Sequence, residues 1–102
     1  MPKKDLEMMS ESIVVATENQ VSTNLEDEAV ILHLKDGVYF GINQVGARIW
    51  NLLQVPRTVG EIRDVILEEY DIEPQQCEQD LLKFLKELHS KGLINIRDDK
   101  AA

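Results

Sequence analysis

A single cysteine, Cys77, stands among 102 residues, so no internal disulfide can form. No signal-peptide pattern precedes the first strand, and the expected location is cytoplasmic, in a reducing environment. No apolar run is long enough to span a membrane. Basic residues are outnumbered, 11 against 19 acidic ones, which gives a formal net charge of −8 and a sequence pI ≈ 4.6. That sign repels phosphate backbones and weighs against nucleic acid as a partner. One Cys and two widely separated histidines, His33 and His89, offer none of the paired spacings of a zinc site, and the acidic residues follow no calcium-loop pattern. A phosphate-binding glycine loop is also missing. No metal or cofactor is therefore expected. Cys77 lies in an apolar helical stripe without a Gly-rich turn or oxyanion motif, and it reads as a small hydrophobe, not a nucleophile. With no converging acid, base and nucleophile, the chain is not expected to be an enzyme.

What the chain does carry, 43% hydrophobic residues, suits one small domain with a modest core. Residues 1–11 and 98–102 read as charged, flexible tails around a domain at 12–97. Ser12 to Thr17 has the β-branched run of a strand, and Gln20 to Asn24 continues it past a kink at Glu18-Asn19, so a bulged first strand is expected. Glu28 to Leu34 is apolar on both parities, which predicts a strand covered at least partly on both faces. At Asn43, a predicted N-cap, the period changes from two to 3.6. Val45, Ile49, Leu52 and Leu53 form one helical stripe with Trp50 beside it, and Val55-Pro56-Arg57 ends the helix. Thr58-Val59-Gly60-Glu61 has the pattern of a capping box and opens a second helix, striped by Val59, Ile62, Val65, Ile66 and Tyr70. A third helix begins near Pro74, turns Cys77, Leu81, Phe84, Leu85 and Leu88 to the core, and closes at Gly92. Leu93 to Ile96 adds a short extended piece. This order predicts an α+β fold, a three-stranded antiparallel sheet followed by three helices, with a winged helix-turn-helix-like outline.

The stretch from Asp36 to Trp50 organises the rest. Asp36-Gly37 is the dipeptide of a two-residue hairpin turn, which sets Lys35 opposite Val38, Leu34 opposite Tyr39 and Leu32 opposite Gly41. The outgoing strand, Val38 to Ile42, is short and uncharged. If left unpaired, such an edge offers its backbone to another extended chain. Gly41 either lets a second chain approach closely or marks a bulge near the sheet corner.

The hairpin, the junction Gly41-Ile42-Asn43-Gln44-Val45-Gly46-Ala47-Arg48-Ile49-Trp50 and the helix start Arg57-Thr58-Val59-Gly60-Glu61-Ile62 carry a family pattern, joined by Tyr39, Leu53, Leu85, Leu88 and Leu93. On these residues the chain, from about Ile13 to Ile96, resembles the PqqD-like family. Its members are leader-peptide recognition elements of pathways that modify ribosomally made peptides. With no fused catalytic domain, the chain looks most like the stand-alone recognition protein of a lasso peptide pathway. The resemblance implies that a precursor's leader peptide docks as an extra antiparallel strand on Val38 to Ile42 and against the third helix. Delivery to a leader-cleaving peptidase or other modifying enzyme would follow.

The residues expected at the peptide are Val38, Tyr39, Phe40, Gly41 and Ile42 of the strand, with Asp80, Lys83, Phe84 and Glu87 of the third helix. Asp80, Lys83 and Glu87 share one helix margin, which reads either as a groove wall or as a solvated flank. Leu82, on the opposite margin, marks the alternative peptide-facing side. Tyr39 is expected to bury its ring beside Leu34, and Phe40 and Trp50 to belong to the core. Without peptide, the free edge could pair with a second copy. The competing function is a winged-helix DNA-binding regulator. Against it stand the net charge and a third helix on which Glu78, Asp80 and Glu87 offset Lys83, Lys86 and Lys91.

Overall fold

The computed structural model describes residues 11–97 apart from Asp27. Along the chain these form β1 (Ile13–Ala16), β2 (Gln20–Leu25), β3 (Glu28–His33), β4 (Val38–Ile42), α1 (Gln44–Leu52), β5 (Arg57–Thr58), α2 (Val59–Glu69), α3 (Pro74–Ser90) and β6 (Ile94–Arg97). Apart from Glu11, the tails expected from the sequence lie outside the described residues. The predicted antiparallel sheet is β2-β3-β4, and three helices follow it. The winged-helix likeness holds only in outline.

A second small sheet, β5-β1-β6, corrects the expectation of one bulged first strand: its two halves are separate strands in different sheets. The division comes from bonds made far along the chain. Ala16 donates its amide to the Leu53 carbonyl (2.8 Å) and Thr17 to the Leu93 carbonyl (2.9 Å). The Thr17 hydroxyl adds a bond to the Gly92 carbonyl (3.1 Å). The kink is thus held by the segments after α1 and α3, and the chain re-enters pairing only at Gln20, opposite His33.

The hairpin between β3 and β4 also differs from the sequence expectation. Val38 stands opposite His33, Tyr39 opposite Leu32 and Gly41 opposite Val30, leaving a four-residue loop, Leu34 to Gly37. A two-residue turn of the expected type needs positive φ at both central residues. Only Gly37 has it, with φ 68; Asp36 does not. Instead the His33 carbonyl accepts from the Gly37 amide (2.7 Å), and His33 Nδ1 accepts from the Asp36 amide (3.3 Å). The slip is two residues, so the alternation of faces across the pair is the same as in the expected register. Pairing is continuous through Gly41, which removes the bulge alternative.

Local capping fixes the helix starts as predicted. Asn43 Oδ1 accepts from the Gly46 amide (2.9 Å). Thr58 and Glu61 exchange side-chain bonds to each other's amides (3.1 and 3.0 Å), completing the capping box. Pro74 begins α3, and Gly92 (φ 75) turns the chain out of it. The helices cover one face of the larger sheet, around Val14, Ile31, Trp50, Leu53, Ile62 and Leu85. Each such side chain contributes about 1.5–3 kcal/mol when fully buried. Trp50, 1% exposed, donates its indole N–H to Ser22 Oγ (3.0 Å) and so ties α1 to β2. Among the described residues no helix is long and apolar enough to cross a membrane.

Candidate peptide-binding groove

Among the described residues β4 closes one side of its sheet and pairs only with β3. Which of its backbone groups are free follows from the neighbouring pairs. Leu34 donates its amide to Asn19, on the β2 side. Successive residues of a strand point their N–H and C=O groups to alternate sides, so His33 and Ile31 are turned toward β4. Their partners Val38 and Phe40 use their own groups within the sheet. The N–H and C=O groups of Tyr39 and Gly41 therefore face the open edge.

That edge borders a cavity of ≈ 260 Å³, lined on one side by Tyr39, Phe40, Gly41 and Ile42 and on the other by Phe84, Glu87 and Leu88 of α3, with Lys91 just past the helix end. Phe84 also lines a larger, adjoining cavity of ≈ 340 Å³ between α1, α2 and α3. Val45, Ile49, Ile66, Ile72 and Leu81 make it largely apolar, with Asn43 and Asp80 as its polar members. Gly46 permits this junction: a Cβ there would stand 3.3 Å from Ile42 Cβ and 3.4 Å from the tip of Phe84. Any larger residue would crowd the Asn43 cap, Ile42 and the tip of Phe84.

Of the nine residues expected at the peptide, the structure brings Tyr39, Phe40, Gly41, Ile42, Phe84 and Glu87 to one cavity. Asp80 lines the neighbouring one. Val38 and Lys83 are exposed and line neither. Leu82, the alternative marker, is half-buried against the core. Leu88 and Lys91 escaped the sequence reading as groove residues. Spacing held the signal, because 80, 84, 87 and 91 recur at four, three and four along one helix face, whereas 83 sits off it. Phe84, read as core, is half-buried and separates the two cavities. Tyr39 corrects a further expectation. Its ring is 68% exposed, because it stands in a cross-strand row with Leu32 and Val21 on the sheet face turned away from the helices.

The remaining chemistry is structural. Arg48 of α1 donates from Nε and Nη2 to both carboxylate oxygens of Glu69 in α2 (2.8 and 2.7 Å). This hydrogen-bonded pairing holds the Glu69 carboxyl below its usual pKa. Burial pushes the Cys77 thiol up, so at neutral pH it stays protonated at the wall of the larger cavity. Among the described residues no three His, Cys, Asp or Glu side chains gather as a metal site.

A family model described as Coenzyme PQQ synthesis protein D (PqqD) matches residues 28–94. Among solved structures, the chain is similar to TbiB1 in complex with the TbiA(beta) leader peptide. The two share 41% sequence identity over 79% of this chain and 94% of that one, with a TM-score of 0.75. Two more distant structures share the fold. Lasso peptide synthetase B1 complexed with the leader peptide has 18% identity over 80% of this chain and 96% of that one, at a TM-score of 0.71. The PqqD truncation of Methylobacterium extorquens PqqCD, described as a functional and stand-alone RiPP recognition element, has 17% identity over 88% and 96%, at 0.72. No curated protein matches.

Proposed function

The chain belongs to the PqqD family, and from that premise we propose that it binds the leader peptide of a ribosomally synthesised precursor in the groove between β4 and α3. It is a non-catalytic adaptor. The observation that carries this reading is the edge of β4, unpaired among the described residues and facing an apolar cavity walled by a helix. An extended peptide laid antiparallel on β4 meets the free N–H and C=O groups of Tyr39 and Gly41. Its alternate side chains turn toward Phe40, Phe84 and Leu88. Backbone bonds supply affinity without sequence demands, and the two cavities supply choice. Val38, Tyr39, Phe40, Gly41 and Ile42 are the strand contacts of this reading, with Asp80, Phe84 and Glu87 on the helix and Lys83 at its outer margin. DNA binding is not favoured, since the same helix face carries Asp80 and Glu87.

We assign the precursor to the lasso class on the sequence resemblance, and the receiving enzyme to leader-cleaving peptidases. Holding the leader raises the local concentration of the attached core at that enzyme. Because the leader fills the groove, the enzyme must meet another surface. The row of exposed Val21 and Tyr39 with half-buried Leu32 between them offers one, next to the strand on which the leader sits. Without leader, the free edge is open to a second copy.

Amide NMR of the labelled protein, titrated with the leader half of a precursor peptide encoded nearby, tests the assignment. Saturable shifts should concentrate at residues 38–42 and 80–91. A folded protein whose spectrum ignores the peptide refutes it.

A further inference from the structure

Across the groove α3 and β4 run in opposite directions. Phe84 lies against Gly46 at one end, where it shares a cavity with Ile42, and Lys91 lies over Phe40 nearer the other. A peptide antiparallel to β4 consequently runs parallel to α3, with its N-terminal side by Asp80 and its C-terminal side toward Lys91. Among the described residues Lys91 is the one cation lining either cavity. Its ammonium stands 5.1 Å from the centroid of the Phe40 ring. None of the ion pairs formed among the described residues involves it. A cation over a half-buried phenyl ring is held less strongly than by a carboxylate, so it can turn to a stronger partner while already positioned at the groove.

Resting on the docking reading above, we propose that Lys91 is a specificity-determining residue that pairs with a carboxylate side chain of the leader peptide and so sets the direction and register of the docked strand. Without Lys91 that end of the groove repels acid, because Glu87 and the last carbonyls of α3 are both negative there. At the opposite end Asp80 disfavours acid again. A carboxylate is therefore accepted at one place along the peptide. From Leu81, which lines the larger cavity, to Lys91 the helix rises about 15 Å, or roughly four to five strand residues. Side chains on one face of a strand recur every second residue. The acidic residue thus falls four positions C-terminal to the residue whose apolar side chain enters the larger cavity.

A displayed library of random peptides, selected in parallel on the full-length protein, on Lys91→Glu and on Lys91→Gln, tests this. The unmodified protein should enrich Asp or Glu four positions after an apolar anchor, by up to about five-fold, the scale of a partly exposed ion pair. Lys91→Glu should reverse that preference to Lys or Arg with the same anchor, and Lys91→Gln should erase it. The same acidic preference from all three proteins overturns the proposal, as does a basic preference in the unmodified protein, which assigns the position to Glu87. Both outcomes leave strand docking intact. If the unmodified protein enriches no groove-binding peptide, the docking reading falls, and this proposal with it.

Discussion

Replacing Gly41 by proline isolates the open edge of β4 from the fold that carries it. The Gly41 N–H faces away from β3, so proline removes no bond from the sheet, and edge strands tolerate proline where the lost donor faces outward. Gly41 does not occupy the left-handed region, so the fixed φ of proline suits extended backbone. The incoming peptide is affected far more. One of its carbonyls loses its donor and meets the pyrrolidine ring. An unsatisfied buried acceptor costs about 1–3 kcal/mol, which weakens Kd by about five-fold to about 140-fold. Gly41→Ala is the matched control. A Cβ at that position meets nothing within 4 Å, the donor is kept, and affinity should stay within about two-fold while stability rises by about 0.5–1 kcal/mol. Fluorescence anisotropy with a labelled leader peptide reads the binding, and an amide NMR spectrum verifies the fold. Unchanged affinity in a folded Gly41→Pro protein would refute pairing on β4. Unfolding by Gly41→Pro would refute the outward direction of its N–H.

Three further outcomes follow from packing and charge. Ser22→Ala leaves the buried Trp50 indole without its acceptor and should lower stability by about 1–3 kcal/mol in urea titration. Because Arg48 depresses the Glu69 pKa, its stabilising contribution is present at neutral pH and is lost as pH falls through the folded-state value. Side-chain NMR should show the Glu69 midpoint rising in Arg48→Gln, with the stability difference between the two proteins vanishing in acid. Val21→Asp, on the outer sheet face, should leave leader affinity unchanged and slow leader cleavage by the partner peptidase about ten-fold, the scale of one buried unpaired polar group.

Features set by neighbours in the chain were legible in the sequence. The Asn43 cap, the Thr58-Glu61 box, Pro74 and Gly92 all involve bonds or dihedrals within a few residues, and each stands where predicted. The antiparallel sheet and its three following helices were legible for the same reason, through periodicity. Features decided by distant partners were not. Nothing near Thr17 announces its bonds to Gly92 and Leu93, which divide β1 from β2. Asp36-Gly37 suggests a two-residue turn, yet the buried His33 side chain captures the Asp36 amide and lengthens the loop. Of the helix residues expected at the groove, Asp80, Phe84 and Glu87 line the two cavities and Lys83 does not, while Leu88 and Lys91 were missed because Lys83 and Lys91 look alike until the direction of α3 is known.

β1 pairs with β6, placing Ile13 beside Arg97 and Ala16 beside Ile94. Two strands from opposite ends of the described chain are therefore neighbours, and their closure demands the largest loop among the described residues. On a ribosome, β1 waits for the residues after α3 before its sheet can complete. The wall bearing Phe84 and Lys91 is secured at that same step, since β6 follows directly from it. Competence to capture a leader should thus arrive only once β6 has emerged, not gradually before it. Both ends of the described chain also leave from that one sheet, while the binding edge belongs to the other.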